Sequence, residues 1–96
     1  MGASEFMVRH EGKTAKAAFR AAVEQAQYDS GHGGYTGTIA EKDEFVLISV
    51  PEGKDPIEFA EELLKADDDR ISDKWGPCGC VKIKEGEWFF FGWASS

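Results

Sequence analysis

The sequence predicts an α+β fold, in which two α-β-β repeats form a four-stranded antiparallel, or mixed, sheet with two helices on one face. Residues 34–39 and 76–81 share the pattern Gly-x-x-Gly-x-(Ile/Val), 42 positions apart. Each copy opens an apolar stretch with a charged turn, and each follows an amphipathic segment. Because internal similarity at a fixed spacing marks one supersecondary unit used twice, the repeats are assigned to about residues 14–50 and 55–94.

Length and composition indicate a single domain. The chain has 96 residues, of which 42% are hydrophobic, and no apolar run approaches the roughly 20 residues that span a bilayer. Residues 1–6 directly precede a second methionine and resemble an expression leader, so the domain is predicted to be residues 7–96 and the leader is left out of the fold. Two cysteines and no signal peptide argue against a disulfide-stapled secreted domain, which makes the cytoplasm the expected location.

The first repeat is predicted as a helix followed by two strands. Thr14 is the candidate N-cap of a helix over residues 15–28, whose apolar side chains recur at the spacing of one core-facing stripe. The helix ends in the glycine-rich residues 30–34, where glycine can adopt a left-handed cap. Strands are expected over residues 35–41 and 44–50, joined by a charged turn.

The second repeat carries stronger helix signals. Asp55, Pro56 and Glu58 supply an N-cap, a proline at the first helical position and an acid in the first turn, so a helix is predicted to run to about Ala66. A hairpin over residues 79–94 follows. By alternation, Gly37 and Gly79 should occupy equivalent sites that face the helices.

The last strand is apolar on both of its faces. Two helices on one side of a sheet leave the other side uncovered, and an exposed apolar patch usually marks an interface. The sequence therefore predicts that the protein binds a partner, or forms a homodimer, through an aromatic sheet face; the competing expectation is that the chain termini cover this face. The candidate residues in this strand are Trp88, Phe89, Phe91 and Trp93.

Charge is concentrated in the middle of the chain. Residues 40–73 hold twelve of the eighteen acidic residues, against a net charge of −7 for the whole chain. Such a surface attracts basic proteins and repels nucleic acids and anionic membranes. Nucleic acids and membranes are therefore not expected partners. The simpler alternative is a solvated face that keeps the protein soluble. The predicted acidic surface consists of Glu41, Asp43, Glu44, Glu58, Glu61 and Glu62.

Motifs for catalysis or cofactor binding are weak. The glycine-rich loop follows a helix and precedes a strand, the reverse of a phosphate-binding loop. His32 and Tyr35, both in or beside that loop, are the best candidates for contacting a ligand. Cys78 and Cys80 point the same way on a strand and are weak candidates for a metal, but structural zinc commonly needs four such ligands. No catalytic residue and no cofactor are assigned.

These observations predict a small acidic, non-enzymatic interaction or inhibitor module. It would bind a protein partner through the acidic surface or the aromatic face. Small size, acidity and the absence of catalytic motifs are typical of accessory proteins, including those of phages, although this rests on analogy. The alternative is a small-molecule-binding or minor enzymatic domain that uses residues 31–35 and the aromatic strand.

Overall fold

A computed structural model describes residues 2–30 and 36–95. It confirms the α+β class, with two helices and a four-stranded mixed sheet. In chain order the elements are β1 (Ala3–Glu11), α1 (Ala15–Ser30), a 3₁₀ turn (Ile39–Glu41), β2 (Phe45–Leu47), α2 (Pro56–Lys65), β3 (Cys78–Lys84) and β4 (Glu87–Ser95).

The strands lie in the order β1-β4-β3-β2. Strand β4 is antiparallel to both β1 and β3, whereas β2 is parallel to β3, so β1, β2 and β3 all run in one direction. Helix α1 connects β1 to β2 across the whole sheet, and α2 connects β2 back to β3. Such crossovers are almost always right-handed, and two that run in opposite directions place their helices on opposite faces of the sheet.

The core accordingly has two layers. On one face, α1 buries Ala18 and Phe19 in a cluster that also contains Cys80 and Phe90. On the other face, α2 contributes the second cluster, whose members are Ile48, Ala60, Leu63, Leu64, Ile71, Val81, Phe89 and Phe91. The prediction of two helices on one face is therefore wrong. A linear repeat does not reveal the direction of each crossover, which is what decides the face.

Strand β1 includes most of the predicted leader. Ala3–Glu11 pairs with β4 over its full length, from Ala3 opposite Ser95 to Glu11 opposite Glu87. Phe6 is buried in the layer under α1. Residues 3–6 therefore form part of an edge strand of the sheet. Their origin in an expression leader stays a prediction.

The first predicted hairpin does not form. Thr38 caps the 3₁₀ turn by accepting a hydrogen bond from the Ala40 N–H at 3.2 Å, and the Glu41 carboxylate accepts bonds from the N–H and hydroxyl of Thr36 at 3.1 and 2.9 Å. Side-chain bonds of this kind compete with a sheet ladder, so the predicted strand 35–41 is wrong over the part that the structure describes. Gly37 has φ 68° in this turn and is not equivalent to Gly79 on β3. The repeat is not confirmed.

Both helix starts agree with the sequence signals. The Asp55 carboxylate accepts a hydrogen bond from the Glu58 N–H at 3.0 Å, and Pro56 opens α2. The Thr14 hydroxyl accepts a bond from the Ala17 N–H at 3.1 Å at the start of α1. Each cap satisfies an N–H that has no partner within its helix.

Candidate functional surface

The aromatic strand is buried rather than available to a partner. Trp88, Phe89 and Phe91 are 8%, 6% and 0% exposed, and Trp93 is half-buried. Helix α1 packs over Trp88 and Phe90, while α2 packs over Phe89 and Phe91. The predicted aromatic binding face is therefore wrong, because both faces of the sheet are covered. The burial of this strand removes the observation on which a homodimer through that face was predicted.

The indole of Trp88 has a structural role at the end of β1. Its Nε1–H donates to the Gly12 carbonyl at 2.9 Å, and the Lys82 ammonium lies 5.7 Å from the centre of its ring. Trp93 differs, because its buried Nε1–H has no acceptor within the described part of the chain.

Cys78 and Cys80 are fully buried free thiols in the layer under α1. Burial raises the pKa of each thiol to about 12, so both remain neutral at physiological pH. Metal ligation needs a thiolate, and within residues 2–30 and 36–95 no group of three or more His, Cys, Asp or Glu side chains is placed to hold a metal ion. Their small size suits them to packing beneath the alanine-rich helix.

Two of the proposed ligand contacts, His32 and Tyr35, lie outside the described residues. Along the described ranges, no helix is both long enough and apolar enough to traverse a bilayer.

The six residues of the predicted acidic surface differ in their environments. The Glu41 carboxylate accepts hydrogen bonds from Thr36, and Glu62 forms an ion pair with Lys54 at 2.6 Å. The remaining four are exposed, and none forms an ion pair with another described residue. They are Asp43, Glu44, Glu58 and Glu61. The first two precede β2, whereas the other two lie on α2.

A groove of about 440 Å³ lies between α1 and the segment that leads into β2. Its apolar part is formed by Phe19, Val23 and Phe45, with the rings of Phe19 and Phe45 centred 5.1 Å apart. The charged residues that line it are Lys16, Arg20 and Glu24 from α1, and Lys42, Asp43 and Glu44 from the opposite segment. The sequence pattern did not predict this groove, although Phe19 stands out as the one large side chain in the alanine stripe of α1.

Lys42 fixes the segment that carries Asp43 and Glu44. It is only 3% exposed, and its ammonium donates to the carbonyl oxygens of Asp73, Lys74 and Gly76 at 3.4, 3.0 and 2.8 Å. Burial lowers the pKa of Lys42 from its ordinary value, while nearby Cys78 and Asp73 act in the opposite direction. Since the three carbonyl contacts satisfy all three ammonium protons, this lysine ties the groove to the loop before β3.

A scan against protein-family models, a search of curated proteins and a search of solved structures each found no match to this chain. Its function is therefore inferred from the surface itself.

Proposed function

We propose that the protein is a small acidic, non-enzymatic interaction or inhibitor module that binds a basic protein partner. The observation that carries this proposal is the position of Asp43 and Glu44, two exposed carboxylates that form no ion pair with a described residue, on the rim of a groove with an apolar base. An apolar side chain would fit the apolar base, and a flanking lysine or arginine would match the side formed by Asp43 and Glu44, away from Lys16 and Arg20 of α1. The apolar anchor would supply affinity, and the charges would speed association and orient the partner.

The charge of the whole chain supports the same class of partner. The net charge is −7, and Glu58 and Glu61 add two exposed carboxylates on α2. The module is proposed to act in the cytoplasm, which is consistent with its two free thiols. By analogy alone, its class is that of accessory proteins such as those of phages.

The small-molecule alternative has less support. It relied on residues 31–35, which lie outside the described part of the chain, and on an aromatic strand that is buried. The volume of the groove lies within the range of small-ligand pockets, but its rim carries both signs of charge. Lys42, whose pKa is lowered by burial, has its ammonium bound to three backbone carbonyls rather than directed at a ligand.

The test compares two triple charge reversals that change the net charge equally. The first replaces Asp43, Glu44 and Glu61 by lysine. The control replaces three acids outside the proposed surface by lysine, namely Glu11, Asp29 and Glu85. The probe is a short peptide with one leucine between pairs of arginines, and its matched control has glycine in place of leucine. Binding is followed by nuclear magnetic resonance of the labelled protein.

We expect the leucine peptide to shift the amide signals of Val23 and Phe45 in the wild type and in the control variant. The shifts should be lost in the first variant and should weaken as salt rises from about 0.05 M to about 0.5 M. Equal binding by the two variants, or equal binding of the leucine and glycine peptides, would refute the proposed surface.

A further inference from the structure

Strand β1 presents a long, open sheet edge. It pairs with β4 on one side, and within residues 2–30 and 36–95 no strand pairs with its other side. Its nine residues contain no proline, glycine or lysine, and its pairing with β4 has no bulge. Proteins normally protect such an edge, because its unpaired N–H and C=O groups can accept another strand.

The register identifies which groups are free to pair. The Gly12 N–H donates to the Gly86 carbonyl at 3.0 Å, which continues the ladder beyond the pair of Glu11 and Glu87. In an antiparallel ladder, hydrogen-bonded and non-bonded positions alternate. The even-numbered residues of β1 are therefore bonded to β4. The odd-numbered residues, from Ala3 to Glu11, direct their N–H and C=O groups away from the sheet.

We propose that a second copy of this chain pairs with this edge, so that two β1 strands lie antiparallel around a two-fold axis at Met7. Met7 then faces Met7 of the second copy, and Glu5 faces Arg9 twice, once on each side of the axis. Every outward N–H from Ala3 to Glu11 gains an acceptor and every outward C=O gains a donor, in the case of the Glu11 carbonyl in addition to its contact with His10 Nδ1 at 2.9 Å. Two-fold pairing is the commonest form of self-association, since one surface serves both copies.

Charge selects this register over its neighbours. An axis at Glu5 or Arg9 places like charges directly opposite each other, and an axis at Val8 places Glu5 opposite Glu11. An axis at Phe6 leaves Arg9 opposite Ala3, without a charge partner. Opposite charges across a strand pair stabilise it and like charges destabilise it. Only the axis at Met7 pairs Glu5 with Arg9.

The side chains on this edge also fit a second copy. Met7 is 47% exposed and lies outside the layer that α2 covers, so two facing methionines would shield each other. Arg9 uses its Nε and Nη2 to bind Glu87 at 3.1 and 2.6 Å, which leaves Nη1 for Glu5 of the second copy. The proposed pairing uses the opposite edge of the sheet from β2, so it leaves the groove between α1 and β2 accessible.

Backbone substitutions test the pairing by light scattering and circular dichroism. The wild type should have twice the chain mass of 10.6 kDa at micromolar concentration. Met7→Pro removes an outward N–H and should give a folded monomer. Val8→Pro removes an N–H that binds β4 and should lower the melting temperature as well. Glu5→Lys should raise the dissociation constant about ten-fold.

Cysteine cross-linking tests the register without relying on a proline substitution. Met7→Cys places two thiols on the axis, where Cα atoms of a bonded pair lie about 5.5 Å apart, within reach of a disulfide. It should form a covalent dimer under mild oxidation. Glu5→Cys and Arg9→Cys should not cross-link alone but should do so when mixed. A monomeric wild type, or cross-linking by Glu5→Cys alone, would overturn the proposal.

Discussion

Adding one methyl group at Gly79 should destabilise the protein, because the space beside this glycine is already filled. A Cβ built there would lie 2.6 and 2.8 Å from Cζ and Cε2 of Phe91 and 3.1 Å from Cγ2 of Ile71, well inside ordinary contact distance. Phe91 and Ile71 are both fully buried, so neither side chain has free space to move into. The aromatic ring packs across its own cross-strand partner.

Two effects of Gly79→Ala oppose each other. Overpacking a filled core costs about 1–3 kcal/mol. Alanine in place of glycine within a strand gains about 0.5–1 kcal/mol through the lower entropy of the unfolded chain. The overpacking is larger, so we expect a net loss of about 1–2 kcal/mol in the free energy of unfolding. For a domain of this size, that corresponds to a fall of roughly 4–16 °C in melting temperature.

Urea unfolding of a double-mutant cycle with Phe91→Leu measures the contact directly. Phe91→Leu destabilises the protein by leaving a cavity, but it removes the ring atoms that collide with the new methyl group. Gly79→Ala should then cost about 1 kcal/mol less in the Phe91→Leu background than in the wild type. An equal cost in both backgrounds would show that the ring does not limit this site, and a neutral Gly79→Ala would refute the packing argument altogether.

Three further predictions follow from buried groups. Cys78 and Cys80 should resist modification by a thiol reagent near pH 8 until the protein is unfolded. The free energy of unfolding should also fall as pH rises from about 9 towards 12. Thiols with an ordinary pKa of 9.0 ionise in the unfolded chain over this range, while the buried thiols, with pKa values of about 12, stay protonated. Trp75 is 64% exposed and Trp88 only 8%, so Trp75→Phe should remove most of the acrylamide quenching of fluorescence; strong residual quenching would contradict the burial of the aromatic strand. Lys42→Met should lower the free energy of unfolding by about 1–3 kcal/mol, because it removes the donor that binds three part-buried carbonyls, whereas the same change at an exposed lysine should have little effect on the urea midpoint.

Local signals in the sequence predicted the helices well. The sequence places an N-cap, a proline and an acid at the start of α2, and all three take those positions in the structure. Each signal acts within one turn of helix, so it depends little on the rest of the fold. The apolar stripe of α1 is also a pattern within a single helix, and its buried alanines lie against the sheet as predicted.

Long-range arrangements were harder to predict. The apolar character of both faces of β4 was read as a sign of an exposed patch, whereas it reflects burial between two helices on opposite faces. Nothing in a single strand distinguishes these outcomes, because the difference lies in how the chain crosses the sheet. Likewise, the groove and its lysine depend on contacts between Lys42 and the residues before β3, about thirty positions away.

The ammonium of Lys42 does for the loop before β3 what a bound potassium ion does in other proteins. Carbonyl oxygens grouped around one positive charge are the usual coordination shell of such an ion, but here the cation is attached to the chain by its own side chain. The loop is therefore held whatever the ionic composition of its surroundings, and neither a chelator nor a change of salt should release it. Removal of the charge would do so, either by deprotonation at high pH, which the lowered pKa of Lys42 favours, or by acylation of the amine. Because the amine is buried, that modification must occur before the chain folds.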